Sequence, residues 1–148
     1  MSESSFTGVS GLKIATRSWR PGEGIPRGVV VIVPGFNSHS GYYEWAAGQL
    51  VSHGLAVYSI DLRGRGKSDG ERFYVQSFDD YVNDVVTFVQ MVKAQEQGLP
   101  VFMLGHSAGV LLHAFTHSNI SLNLQVLFAK ALRMKFPRLI LLLQFLRD

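Results

Sequence analysis

Ser107 lies within Gly105-His106-Ser107-Ala108-Gly109, a Gly-x-Ser-x-Gly pentapeptide. The apolar run Val101 to Leu104 leads directly into it, and a helix-like segment follows. A serine held between a strand and a helix in this way is a nucleophile elbow, in which a strained turn exposes Oγ for attack on a carbonyl. The glycines fit that reading, because side chains at 105 and 109 would collide with the neighbouring strand and helix. The same turn leaves the amide of Ala108 free to point at a developing oxyanion.

Such a serine needs a base for Oγ and an acid to orient the base. Behind an elbow of this type the chain order is serine, acid, histidine. After Ser107 the sole acid is Asp148, and the histidines that follow, His113 and His117, both precede it. They lie on the segment expected to lead away from the elbow as a helix, so neither is expected to reach Oγ. His39 is expected to hold a loop, His53 to end a helix, and His106 to pack beside the elbow without a proton-transfer role. The chain is therefore expected to lack its own acid and base.

The elements that would position Ser107 can be read in order. Phe6 to Val9 and Leu12 to Trp19 flank Ser10-Gly11 as a hairpin. Val29 to Val33 is an unbroken β-branched run, the pattern of a strand buried on both faces. Gly41 to His53 reads as a helix with Tyr42, Trp45, Ala46 and Leu50 on its apolar face and Gly54 as its cap. Leu55 to Ile60 is a second buried strand, followed by a glycine-rich loop from Asp61 to Gly70. Ser77 caps a helix whose stripe is Phe78, Tyr81, Val82, Val85, Val89 and Val92, with Asp80 placed close to a capping box. Strands alternating with helices imply a parallel sheet with its site at the carboxyl ends of the strands. There the loops Pro34 to Ser40 and Asp61 to Gly70 meet the elbow. The glycine-rich loop lacks a Gly-Lys-Ser/Thr that opens a helix, so it is not read as a nucleotide cradle; Asp61 and Arg63 are read as loop-positioning groups.

Three blocks resemble the α/β-hydrolase superfamily, in its monoacylglycerol lipase and lysophospholipase-like branch. They are Pro34-Gly35-Phe36-Asn37-Ser38-His39-Ser40-Gly41-Tyr42-Tyr43, the segment Asp61-x-x-Gly64-x-Gly66-x-Ser68-x-Gly70-Glu71-Arg72, and Leu99-Pro100-Val101-Phe102 running into Gly-His-Ser107. The resemblance covers about Leu12 to Gly109. It implies Ser107 as catalytic nucleophile, the amides of Phe36 and Ala108 as oxyanion hole, and carboxylic esters such as monoacylglycerols or lysophospholipids as substrates. No metal or organic cofactor is implied. Pro34 and Asn37 replace the usual His and second Gly of the oxyanion loop, and Phe36 is large where a small residue is common. The expected fold is α/β, an incomplete α/β-hydrolase sheet ending at the elbow, with later strands and lid absent.

The whole chain carries a net charge of +3. Residues 1–107 hold nine Lys/Arg against ten Asp/Glu, whereas residues 108–148 hold five against one, so the basic excess belongs to the tail. That distribution argues against a nucleic-acid role. No cysteine is present, which excludes thiol chemistry. No secretory leader or membrane-length apolar run is read, and a cytoplasmic protein of open oligomeric state is expected. The chain divides at 109: residues 110–148 form a basic apolar tail with Leu139 to Leu143 beside Lys130, Arg133, Lys135 and Arg138. One reading is a cationic segment in peripheral contact with a membrane. The preferred reading is a frameshift product: taken one base earlier, Gly109-Val110 permits a second Gly and residues 122–132 permit a strand-like sequence of the resembled family.

Overall fold

A computed structural model of the chain describes residues 1–109, 112 and 125–129. These residues form a mixed six-stranded sheet in the order β1-β2-β4-β3-β5-β6. The strands are β1 (Ser2–Thr7), β2 (Lys13–Trp19), β3 (Gly28–Val33), β4 (Leu55–Ile60), β5 (Val101–His106) and β6 (Gln125–Ala129). β3 is the central strand, parallel to β4 on one side and to β5 on the other. β1 and β2 are antiparallel, and β2 joins antiparallel to β4, with Thr16 opposite Ile60.

The β-branched run of β3 is buried on both faces, as its composition requires. Side chains alternate across a strand. Val29, Val31 and Val33 accordingly pack into one core with α2 (Phe78–Gln95), and Val30 and Ile32 into the other with α1 (Glu44–Ser52). α2 buries Tyr81, Val82, Val85, Val89 and Val92 as its periodicity predicts, and adds Phe88; Phe78, at its first turn, is exposed. Ser77 Oγ accepts from the Asp79 amide at 3.2 Å, so the N-cap is present. The capping-box carboxylate is used elsewhere, since Asp80 Oδ2 pairs with Arg63 Nη1 at 3.0 Å.

The helix read from Gly41 begins as a 3-10 turn, Ser40–Tyr43, and becomes α1 at Glu44. Its apolar face also differs from the expected one. Tyr42 and Trp45 are exposed, and Ala47 and Leu50 are the residues buried against the sheet. Gly54 takes φ +80° and its amide bonds the Val51 carbonyl at 2.9 Å, the expected C-terminal turn.

Arg63 and Asp84 tie the loops to the scaffold. Arg63 Nε and Nη2 reach Asp84 at 2.7 and 3.0 Å, and Asp84 Oδ1 also accepts from the Val9 amide at 2.9 Å. Asp84 is fully buried, so this ion pair is desolvated and its geometry must be satisfied on both sides. Burial acts to lower the Arg63 pKa, but the hydrogen bonds and charge of Asp84, with Asp80, outweigh it and raise the value.

The incomplete α/β sheet expected from the sequence is present, with one addition. Within the segment read as an atypical tail, β6 pairs parallel with β5, from Phe102 opposite Gln125 to His106 opposite Ala129. The β5 edge is therefore covered. Among the described residues no helix is long and apolar enough to cross a membrane.

Candidate active site

The carboxyl ends of β3 and β5 lie side by side, with Val33 opposite Gly105. Ser107 follows β5 directly and has φ +54°, a left-handed conformation rare for a residue with a Cβ. Ala108 and Gly109 then turn into a helix, and Ser107 is exposed. The turn is possible because two neighbours lack side chains. A Cβ on Gly109 would lie 2.2 Å from the Val33 carbonyl oxygen. A Cβ on Gly35 would lie 3.1 Å from Ser107 Cβ and 3.1 Å from His106 Nδ1. Gly35 thus lets the loop after β3 press against the elbow.

That loop is pinned at four places. Ser38 N donates to the Gly35 carbonyl at 3.1 Å, closing a turn around Phe36 and Asn37. The Tyr43 hydroxyl bridges His106 Nδ1 at 3.0 Å and Ser38 Oγ at 3.3 Å, linking the loop to the residue before Ser107. Asp61, buried at the end of β4, accepts from Ser40 N at 2.7 Å and from Lys67 N at 2.9 Å, so one carboxylate joins both loops. Arg65 Nε donates to the Phe36 carbonyl. The loop-positioning part read for Asp61 is thereby visible atom by atom.

Phe36 is partly exposed, with its ring edge-on to Tyr81 at 5.7 Å between centroids. Among the described residues the Phe36 amide has no hydrogen-bond acceptor. Desolvation raises the pKa of the buried Tyr81 phenol, and the charges of Arg65 and Arg63 act in the opposite direction.

His39, His53 and His106, the histidines among the described residues, make local contacts. His39 Nδ1 accepts from the Gly41 amide at 3.2 Å, and its ring tilts over Tyr42, holding the loop. His53 Nδ1 lies 2.8 Å from the Gln49 carbonyl at the end of α1. His106 is committed to Tyr43. His113, His117 and Asp148 lie outside the described residues.

Sequence reading missed Tyr43 and Arg65 as parts of this site. Tyr43 reads as loop packing from its neighbours, and Arg65 is an unspecified position between two glycines of the loop. The signal available for Arg65 was that pair: Gly64 and Gly66 both take positive φ, at +69° and +49°, and turn the intervening side chain inward.

Sequence and fold both resemble those of known proteins. The family described as Hydrolase_4, serine aminopeptidase S33, matches residues 24–147, which extends past Gly109 into the tail. A monoacylglycerol lipase of Mycolicibacterium smegmatis is 40% identical over 108 residues, 73% of this chain and 38% of that protein. Human monoglyceride lipase is 39% identical over 101 residues, 68% of this chain and 33% of that protein. Among solved structures, a thermostable carboxyl esterase from Bacillus coagulans superposes with a TM-score of 0.76 at 26% identity, covering 84% of this chain and 42% of that one. A soluble variant of Saccharomyces cerevisiae monoglyceride lipase gives a TM-score of 0.61 at 27% identity, covering 69% and 35%. The chain spans between a third and about two fifths of the length of these relatives.

Proposed function

The chain belongs to the Hydrolase_4 (serine aminopeptidase S33) family of α/β-hydrolases, and from that premise we propose that it carries the nucleophile half of a carboxylic-ester hydrolase acting on monoacylglycerol or lysophospholipid-like esters. Ser107 Oγ attacks the ester carbonyl, the Phe36 and Ala108 amides stabilise the tetrahedral oxyanion, the alcohol leaves, and water releases the acyl group. The observation that carries this reading is the left-handed Ser107, presented at the end of β5 against Gly35. The substrate class is taken from the relatives, which are named as lipases of monoacylglycerol or monoglyceride.

The histidines among the described residues are engaged in local contacts away from Ser107 Oγ. We therefore place the base and acid on sequence that this chain does not contribute in family order. The 148-residue chain alone is expected to show no Ser107-dependent multiple turnover of p-nitrophenyl butyrate and only inefficient fluorophosphonate labelling. Efficient labelling at Ser107, absent in Ser107→Ala, would overturn that part. The nucleophile assignment is tested separately by joining residues 1–109 to the segment that follows the elbow in the Mycolicibacterium smegmatis relative. Hydrolysis of a monoacylglycerol by this chimera, lost in Ser107→Ala, is expected. A folded chimera whose activity survives Ser107→Ala would refute it.

A further inference from the structure

Arg65 is buried to 4% exposure between two aromatic rings. Its Cζ lies 4.6 Å from the centroid of Phe36 and 4.4 Å from that of Phe73. Nε donates to the Phe36 carbonyl and Nη1 to the Gly64 carbonyl at 3.0 Å, while Nη2 is buried with no hydrogen-bond partner among the described residues. No carboxylate pairs with Arg65 among the described residues, in contrast to Arg63, which has Asp80 and Asp84. A buried guanidinium without a counter-ion is costly, so its place calls for a physical reason.

The backbone around it is held for that purpose. The Arg65 amide bonds the Leu62 carbonyl at 2.9 Å, and the Arg65 carbonyl accepts from Ser68 N at 2.9 Å. A Cβ on Gly64 would lie 2.2 Å from the Glu71 carbonyl oxygen, and one on Gly66 would lie 2.1 Å from Asp61 Oδ2. Phe73, which closes the outer face of the guanidinium, is itself at φ +62° and largely exposed. A strained residue of this kind persists where its surroundings over-determine it, and the stack on Arg65 is such a constraint.

We propose that Arg65 is a positioning residue for the oxyanion loop: its planar cation, clamped between Phe36 and Phe73, fixes Phe36 through its carbonyl so that the Phe36 amide faces the carbonyl attacked by Ser107. This rests on the hydrolase reading above. A guanidinium suits the place because it is flat on both faces and donates in the plane at the same time, which an ammonium cannot do.

The test is made on the full 148-residue chain by NMR. The residual dipolar coupling of the Phe36 amide reports its orientation, and hydrogen exchange of the Ser38 amide reports the turn from Gly35. In Arg65→Ala the Phe36 coupling is expected to collapse and Ser38 exchange to rise about tenfold, the equivalent of one lost hydrogen bond. Couplings of Val30 and Val57 are expected to remain. Ethylguanidinium, which refills the space between the two rings, is expected to restore the Phe36 coupling, and ethylammonium at the same concentration is not. An unchanged Phe36 coupling would overturn the proposal, as would equal rescue by both cations. Loss of the Val30 and Val57 couplings would also overturn it, since Arg65 would then serve the sheet as a whole. None of these readouts passes through Ser107 chemistry, so they stand or fall independently of the labelling and chimera experiments.

Discussion

Gly109→Ala tests whether the elbow is packed as tightly as its geometry implies. The new Cβ would lie 2.2 Å from the Val33 carbonyl oxygen, 3.0 Å from its carbon and 3.1 Å from the Pro34 oxygen. An ordinary contact is more than an ångström longer than the first of these. The obstructing atoms are backbone, and they belong to the end of β3, which β4 and β5 hold from both sides. Neither side can yield cheaply, so the cost falls at the upper end of the range for overpacking, about 3 kcal/mol. For a chain of this size that is a fall of roughly 10 °C in midpoint. Thermal unfolding followed by far-ultraviolet circular dichroism measures it. Gly48→Ala is the matched control: Gly48 is an exposed residue of α1, and a Cβ there meets nothing within 4 Å. It should stabilise the chain by about 0.5–1 kcal/mol through helix propensity. A Gly109→Ala midpoint within about 2 °C of the parent, well inside the predicted fall, would refute the close approach of elbow and β3.

Asp84→Ala leaves Arg63 with Asp80 alone and frees the Val9 amide, and a loss of about 3 kcal/mol is expected in urea unfolding, because one partner of a buried pair is removed. A midpoint unchanged from the parent would contradict that burial. Tyr81 supplies a pH dependence. Burial raises its pKa above the ordinary 10.0, so the unfolded chain releases the proton first as the pH rises. Stability from this group is complete below about pH 10 and declines above it. Tyr81→Phe should therefore lose less stability between about pH 8 and pH 10.5 than the parent does, and a curve parallel to the parent's would contradict the assignment. At neutral pH the same substitution should cost less than about 1 kcal/mol, since Tyr81 Oη has no partner among the described residues. For the tail, the coding DNA is expected to stay open one base earlier through the codons for 110–148, and stop codons within that frame would exclude a frameshift origin.

Most of the scaffold was legible because burial left a pattern. The unbroken apolar runs of β3 and β4 permit few readings besides strands covered on both faces, and the stripe of α2 fixes its orientation. β1 was harder. Ser2-Glu3-Ser4-Ser5 carries no apolar alternation, and only Phe6 is buried, so the strand begins earlier than its sequence signals. The face of α1 was misread because aromatic residues were assumed to point inward. Tyr42 and Trp45 instead stay exposed, while the small Ala47 allows the helix to lie close to the sheet. Asp84 was passed over because its partner, Arg63, lies far away in sequence and no local period reports an ion pair.

The two outer strands of the sheet differ in how far their own sequences announce them. β1 is polar along most of its length, and an edge strand of that kind discourages further pairing. β6 has the sequence Gln-Val-Leu-Phe-Ala, the composition of a strand inside a sheet, although no strand borders its outer side among the described residues. Without β5 beside it, that pentapeptide falls within the segment read as a basic apolar tail, with a frameshift origin preferred. Its five-residue parallel register with β5 places it in the fold that presents Ser107. Pairing is a long-range property and leaves little local trace, whereas the elbow is built from neighbours in sequence. The pentapeptide around Ser107 gains its meaning from the strand before it and the loops upstream, all of which carry a local signature. The strand that braces their outer side became visible only through its partner.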